Sequence, residues 1–105
     1  MDKSKPLSDF FAAIEKDGRI SITHIGIYAA LLQYRIEMGY ANPIEAFSYD
    51  IMGLAKISAP ITYHRCIREL SEYGYISYRP SFKKNQASKI YFKEDAGSRS
   101  GQDRS

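Results

Sequence analysis

Basic side chains recur along one side of a predicted helix at residues 59–73. His64, Arg65 and Arg68 share that side with Ile61, because residues three and four apart are neighbours on a helix surface. Guanidinium groups bind phosphate oxygens and can also read the edge of a guanine. The opposite side is apolar and should face a protein core; it holds Tyr63, Cys66, Ile67 and Leu70. The pattern indicates a surface that binds a polyanion.

Positive charge is concentrated in the same part of the chain. The net charge is only +3, but residues 56–93 contain eight Lys or Arg and two Asp or Glu. Residues 1–55 contain five Lys or Arg and seven Asp or Glu. Such an asymmetry favours a polyanionic partner, although ordinary solvated charges on an exposed face are the alternative interpretation.

Patterns typical of catalysis or metal binding are absent from the sequence. There is no glycine-rich phosphate loop and no motif that pairs a nucleophile with a base. Structural zinc sites use four ligands, and the chain offers one Cys and two His. Cys66 is therefore predicted to be a core thiol, and no partner can be named for His24 at the start of the second helix. We expect neither an enzyme nor a bound metal or cofactor.

The elements that position the basic helix follow from capping residues, glycines and periodicity. Four helices are predicted, at residues 9–16, 21–38, 49–56 and 59–73. Ser8 and Ser48 should cap the first and third helices, and Ser21 or Thr23 should begin the second. A very short strand is expected at residues 46–48. The alternating segments 75–79 and 89–93 should form a hairpin with a basic loop between them.

Two of these helices are joined by a tight turn, which is the helix-turn-helix unit. The run 62–70 followed by Gly74-Tyr75-Ile76 resembles the helix-to-wing passage of winged-helix bacterial regulators and replication initiators. Residues 78–82 and 88–91 look like small stand-alone winged-helix proteins associated with bacterial mobile elements. The resemblance covers roughly residues 47–92. It implies an α+β, mainly helical, winged helix-turn-helix fold, with a three-helix core, a two-stranded β-hairpin wing and an extra N-terminal helix.

The same resemblance implies a sequence-specific double-stranded DNA-binding protein, a transcriptional regulator or accessory factor of a bacterial mobile element. Helix 59–73 would read the major groove and wing 79–89 would grip the backbone. On the helix the implied contacts are Pro60, Ile61, Thr62, His64, Arg65 and Arg68. In the turn and wing they are Lys56, Ser58, Arg79, Lys83, Lys84, Asn85 and Lys89. Thr62 and Arg65 are expected to carry most direct base readout, and the lysines to neutralise phosphates.

One domain is expected at residues 7–94, between a flexible lead at 1–6 and a disordered tail at 95–105. No signal-peptide or membrane-spanning pattern is present, so a cytoplasmic protein is expected. The alternative function is a winged-helix protein–protein interaction module without direct DNA binding. Helix 21–38 is apolar nearly all round, which predicts either a homodimer through the N-terminal helices or a first helix that covers the second face.

Overall fold

The computed structural model describes residues 5–83 and 85–93, which form four helices and a three-stranded antiparallel sheet. The helices are α1 (Lys5–Ile14), α2 (Ile22–Glu37), α3 (Ser48–Ala55) and α4 (Pro60–Glu72). The strands are β1 (Ile44–Ala46), β2 (Ile76–Arg79) and β3 (Ser88–Phe92). The fold is therefore α+β and mainly helical, as predicted, and its order of elements is compatible with a winged-helix-like layout. The predicted tail at 95–105, residues 1–4 of the predicted lead and Lys84 lie outside the described residues.

Helix α1 begins earlier than the sequence predicted. Lys5 and Pro6, expected in the flexible lead, form its first turn, where a proline fits because the amide it lacks would have no partner there. Lys5 Nζ lies 3.3 Å from the Asp9 carboxylate one turn later. Ser8 is consequently inside the helix, and the prediction that it caps α1 is wrong.

The caps of the next two helices differ in kind. Ser21, one of the two starts that the sequence allowed, is the N-cap of α2, and its hydroxyl accepts the backbone N–H of His24. Helix α3 starts one residue before the predicted position, with Phe47 as its N-cap instead of Ser48. The Asp50 carboxylate accepts the Phe47 N–H at 3.0 Å, so the acidic side chain in the first turn reaches back to the N-cap backbone, and no side chain caps the helix in the way predicted for Ser48.

The sheet has three strands, whereas the sequence predicted a two-stranded wing. Strand β3 lies between β1 and β2 and pairs antiparallel with both, with Ile44 opposite Ile90 on one side and Tyr78 opposite Ile90 on the other. The short strand expected at 46–48 is found at Ile44–Ala46. Just before it, the Asn42 amide accepts the Phe92 N–H at 2.9 Å and donates to the Phe92 carbonyl at 3.1 Å, which continues the pairing beyond the strand.

The core lies between the helices and one face of the sheet. Helix α2 is central, with Ile27 and Leu31 fully buried. Helix α4 buries the predicted apolar side; the buried residues are Tyr63, Cys66, Ile67 and Leu70. Phe10 of α1 stacks on Tyr28 at 3.9 Å and meets the edge of Tyr75 at 5.4 Å. Helix α1 thus covers part of α2, and the predicted homodimer contact through the N-terminal helices stays a prediction.

Candidate nucleic-acid interface

The exposed face of α4 is where the sequence placed it. Pro60 occupies the first turn, and Ala59 is an N-cap without a side-chain hydrogen bond. Ile61 is 82% exposed, and Arg65 and Arg68 are exposed on the same side of the helix. We call Ile61, Arg65 and Arg68 the α4 face. It presents one apolar and two cationic groups over about two helical turns.

The turn that connects α3 to α4 spans residues 56–59 and lies beside the start of the α4 face. Lys56 ends α3 in the left-handed region, with φ 62° and ψ 39°, and its side chain is exposed. Ser58 is exposed as well. Both predicted turn contacts are therefore accessible to a ligand that covers the N-terminal end of α4.

An open groove of about 400 Å³ separates α4 from the hairpin loop; we call it the helix–wing groove. Its polar and charged lining residues are Ser48, His64, Arg68, Ser81, Lys83, Gln86 and Ser88. His64 and Arg68 also border the α4 face, so the two surfaces are continuous. The Nδ1–H of His64 donates to the Pro60 carbonyl at 2.9 Å, which fixes the ring at this boundary. Burial raises the pKa of Tyr63 at the base of the groove, so its hydroxyl stays protonated.

Hydrogen bonds order the loop that forms the far wall of the groove. The Ser81 N–H donates to Ser88 Oγ at 3.2 Å, and the Lys83 N–H donates to Ser81 Oγ at 3.2 Å. The Gln86 N–H then donates to the Lys83 carbonyl at 3.2 Å. Asn85 is exposed in the same loop. Lys83 is thereby held on a defined backbone next to the groove.

Two predicted wing contacts lie on a different surface. Along β3 the side chains alternate, with Ile90 and Phe92 buried and Lys89 and Tyr91 exposed. Lys89 is opposite Glu45 on one side and Arg79 on the other, all on the outer face of the sheet. Lys83 borders the helix–wing groove, whereas Lys89 and Arg79 are not among the residues that line it.

Thr62 is half-buried and belongs to neither the α4 face nor the helix–wing groove. It lies seven residues before Glu69, hence on the same flank of the helix. Arg65 is exposed, and its guanidinium donates to Cys66 Sγ over 3.9 Å. Of the two residues expected to read bases, only Arg65 is on the α4 face.

A buried pair on that flank was not predicted. His24 is 4% exposed, and its Nε2 lies 2.8 Å from Glu69 Oε1 of α4. The backbone N–H of Ser21 donates to His24 Nδ1 at 2.9 Å. Nδ1 is therefore the acceptor nitrogen, and Nε2 carries the proton donated to Glu69. The spacing of Ser21 and His24 suits a helix cap, but no local pattern could have found Glu69, 45 residues away.

The ligand atoms of His24, Cys66 and Glu69 lie within 4.8 Å of one another, which raises the question of a metal site. A histidine that binds a metal through Nε2 donates its Nδ1–H to an acceptor. Here Nδ1 instead accepts the Ser21 N–H. If Nε2 bound a metal, Nδ1 would carry the proton, and its N–H would point at the Ser21 N–H without an acceptor between them. The three residues therefore comprise a direct hydrogen bond between His24 and Glu69 with the buried thiol of Cys66 beside it.

The C-terminal end of α4 is fixed by the link between α1 and α2. Arg19 donates to both Asp17 oxygens, at 2.8 and 2.9 Å, and its guanidinium lies 4.0 Å from the centre of the Tyr73 ring. The Tyr75 hydroxyl donates to the same Asp17 carboxylate. The Arg19 and Tyr75 hydrogen bonds hold the pKa of Asp17 well below its usual range, and the Asp17 bond raises the pKa of Tyr75.

Comparison with protein-family models, curated proteins and solved structures found no match. Within residues 5–83 and 85–93, no helix combines the length and the apolar character needed to cross a membrane. The resemblance to winged-helix regulators therefore stays a prediction. Function has to be argued from the α4 face and the helix–wing groove.

Proposed function

We propose that the chain is a winged helix-turn-helix protein that binds double-stranded DNA and serves as a small regulator or accessory factor of a bacterial mobile element. One observation carries the proposal. The exposed α4 face, whose cations Arg65 and Arg68 stand beside Glu69 and Glu72, continues through His64 and Arg68 into a groove whose far wall holds Lys83. A cationic ridge beside a cationic groove is complementary to the alternation of base edges and phosphates along a duplex.

The dimensions of α4 suit this role. Its 13 residues give a rod about 20 Å long, and a major groove about 12 Å wide admits one helix. The N-terminal turns of α4 carry the exposed groups. Helix α3 and the four-residue turn stand beside the start of α4, where Lys56 and Ser58 can meet a phosphate.

The contacts divide by chemistry. Arg65 would form two hydrogen bonds with guanine O6 and N7, and Ile61 would contact a thymine methyl group. Arg68, His64 and Lys83 border the groove and would bind phosphates, which positions the protein without reading sequence. Thr62 is half-buried on the flank of α4 and is not needed for these contacts.

The test compares Arg65→Ala, Lys83→Ala and the control Lys16→Ala on duplexes selected from a random pool. Lys16 is also exposed and cationic, but it lies next to the link that contacts the C-terminal end of α4. Arg65→Ala should cost about 1–3 kcal/mol of binding energy and relax preference at one base position. Lys83→Ala should weaken all sequences alike and make the log–log salt slope shallower by about 1. The control should match the wild type.

A salt-independent affinity, or no affinity for any duplex, would overturn the proposal, since phosphate neutralisation must give a slope of about −0.9 per contact. Equal behaviour of the Arg65 and Lys83 variants would refute the division into base and phosphate contacts. One observation favours a protein-interaction module as the second candidate: Ile61 and Phe82 are large apolar side chains exposed on the same surface. Such a module would bind its partner with a weak response to salt.

A further inference from the structure

We propose that Phe82 is a wedge that enters the minor groove of bound DNA and separates one base step, so that the protein bends its target. The inference rests on the DNA binding proposed above. It goes beyond that proposal, because neither phosphate neutralisation nor major-groove readout requires Phe82 to bend the DNA.

The exposure of Phe82 is the first argument. Its side chain is 95% exposed, more than any other large apolar side chain in residues 5–83 and 85–93. An aromatic ring in water forgoes the free energy that burial would provide, about 25 cal/mol for each Å² of apolar surface. Other rings of this chain meet a neighbour: Phe10 stacks on Tyr28, and Tyr91 lies 5.8 Å from the Arg79 guanidinium. Phe82 therefore has apolar surface to bury on a ligand.

The backbone on both sides of Phe82 is ordered. Ser81 is held by Ser88, and Lys83 is held by the Ser81 hydroxyl. Pro80, one residue earlier, restricts the chain further because its ring fixes φ. Because these hydrogen bonds and the proline restrict the backbone on either side of the ring, less conformational entropy is lost when the ring is inserted into a ligand.

The surroundings identify DNA as the occupant. Phe82 borders the helix–wing groove, whose cationic residues Arg68 and Lys83 make no ion pair within the described residues. A protein partner with an apolar patch would have to leave these cations unpaired or match them with acids, whereas a duplex provides phosphates on both edges of its minor groove. Apolar wedges such as Phe, flanked by cations, are how minor-groove proteins unstack base steps.

The placement also fits the geometry of the α4 face. When α4 occupies the major groove, the hairpin loop beyond the helix–wing groove reaches across one phosphate strand. The next surface it meets is the adjacent minor groove. Separating a base step there costs a few kcal/mol, least at flexible pyrimidine–purine steps, and bends the duplex by roughly 20–90° away from the wedge.

The experiment uses the full chain and a selected duplex of about 25 base pairs, with fluorophores at its ends and 2-aminopurine at candidate steps. Binding is followed by anisotropy, bending by energy transfer, and unstacking by 2-aminopurine emission. The variants are Phe82→Ala and Phe82→Leu, since Leu is also a wedge residue. Ile22→Ala is the control, because Ile22 is 85% exposed at the start of α2, away from the wing.

The wild type and Ile22→Ala should increase both energy transfer and 2-aminopurine emission. Phe82→Ala should still bind, with an unchanged salt slope, but should lose both signals, and Phe82→Leu should keep most of them. Folding is not at issue, because Phe82 makes few contacts. Binding by the wild type without bending, or bending by Phe82→Ala equal to the wild type, would overturn the wedge and leave the proposed function intact. Absence of duplex binding by the wild type would overturn both.

Discussion

Replacing Glu69 by Ala should destabilise the protein, and replacing it by Gln should destabilise it less. The Glu69 carboxylate accepts the Nε2–H of His24 at 2.8 Å, and the His24 ring is almost completely buried. In Glu69→Ala that N–H, on a ring that is 4% exposed, loses its side-chain acceptor. In Glu69→Gln the side-chain carbonyl oxygen can still accept the proton.

The expected magnitudes follow from the chemistry of the two variants. A buried donor left without a partner costs about 1–3 kcal/mol, which is the expected loss in Glu69→Ala. A hydrogen bond to a charged group is worth about 1 kcal/mol more than a neutral one, which is the expected loss in Glu69→Gln. Glu72→Ala is the matched control: Glu72 is exposed three residues later on α4, and its loss should change stability by about 0.5 kcal/mol or less.

Urea denaturation measures these differences as shifts of the midpoint at constant m value. A Glu69→Ala protein as stable as the Glu72→Ala control would show that the pair contributes nothing to folding. Equal losses in Glu69→Ala and Glu69→Gln would show that the charge is indispensable. That result would place a proton on both ring nitrogens of His24, against the assignment of Nδ1 as an acceptor for the Ser21 N–H.

Two further predictions concern other parts of the fold. The lowered pKa of Asp17 means that its ion pair with Arg19 stabilises the protein above pH about 4, the ordinary carboxyl range, and that this stability is lost as the pH falls below it. The difference in thermal midpoint between wild type and Asp17→Asn should therefore narrow on acidification from pH 7 towards pH 2, and a constant difference would contradict the role of the charge. Lys56→Gly should raise the free energy of unfolding by about 1 kcal/mol, because Lys56 has a left-handed backbone that favours glycine. The same variant should weaken duplex binding if Lys56 contacts a phosphate. A loss of stability in urea would refute the expected gain in stability, and unchanged duplex binding would refute the phosphate contact.

The sequence predicted the features that depend on local periodicity. The buried and exposed sides of α4 follow from residues three and four apart, and the buried set that includes Cys66 and Leu70 is confirmed. The alternation of buried and exposed side chains in β3 was also predicted, because it follows from residues two apart. The half-burial of Thr62 was not predictable, because a residue at the edge of an apolar stripe is exposed or half-buried according to what packs on that flank, and its role in base readout stays a prediction.

The features that were missed join distant parts of the chain. His24 meets Glu69 across 45 residues, and Asp17 meets Tyr75 across 58. No motif connects such positions. The third strand of the sheet was missed because it also depends on a distant pairing, that of Ile44 with Ile90. Likewise, the position of Lys89 on the outer face depends on which face of the pleated sheet packs on the helices.

Strand β3 is the last of the described elements in the chain, yet it occupies the middle of the sheet. During synthesis, β1 and β2 both emerge before the strand that joins them, and the pairing of Ile44 in β1 with Ile90 in β3 spans a long stretch of sequence, which slows it. Until then their backbone edges and the side chains of Ile44 and Ile76 are open to other chains. A nascent or truncated polypeptide that stops before Ser88 would therefore be a helical fragment with two unpaired edges, prone to self-association. Formation of β3 pairs one edge of β1 and one edge of β2 at the same time.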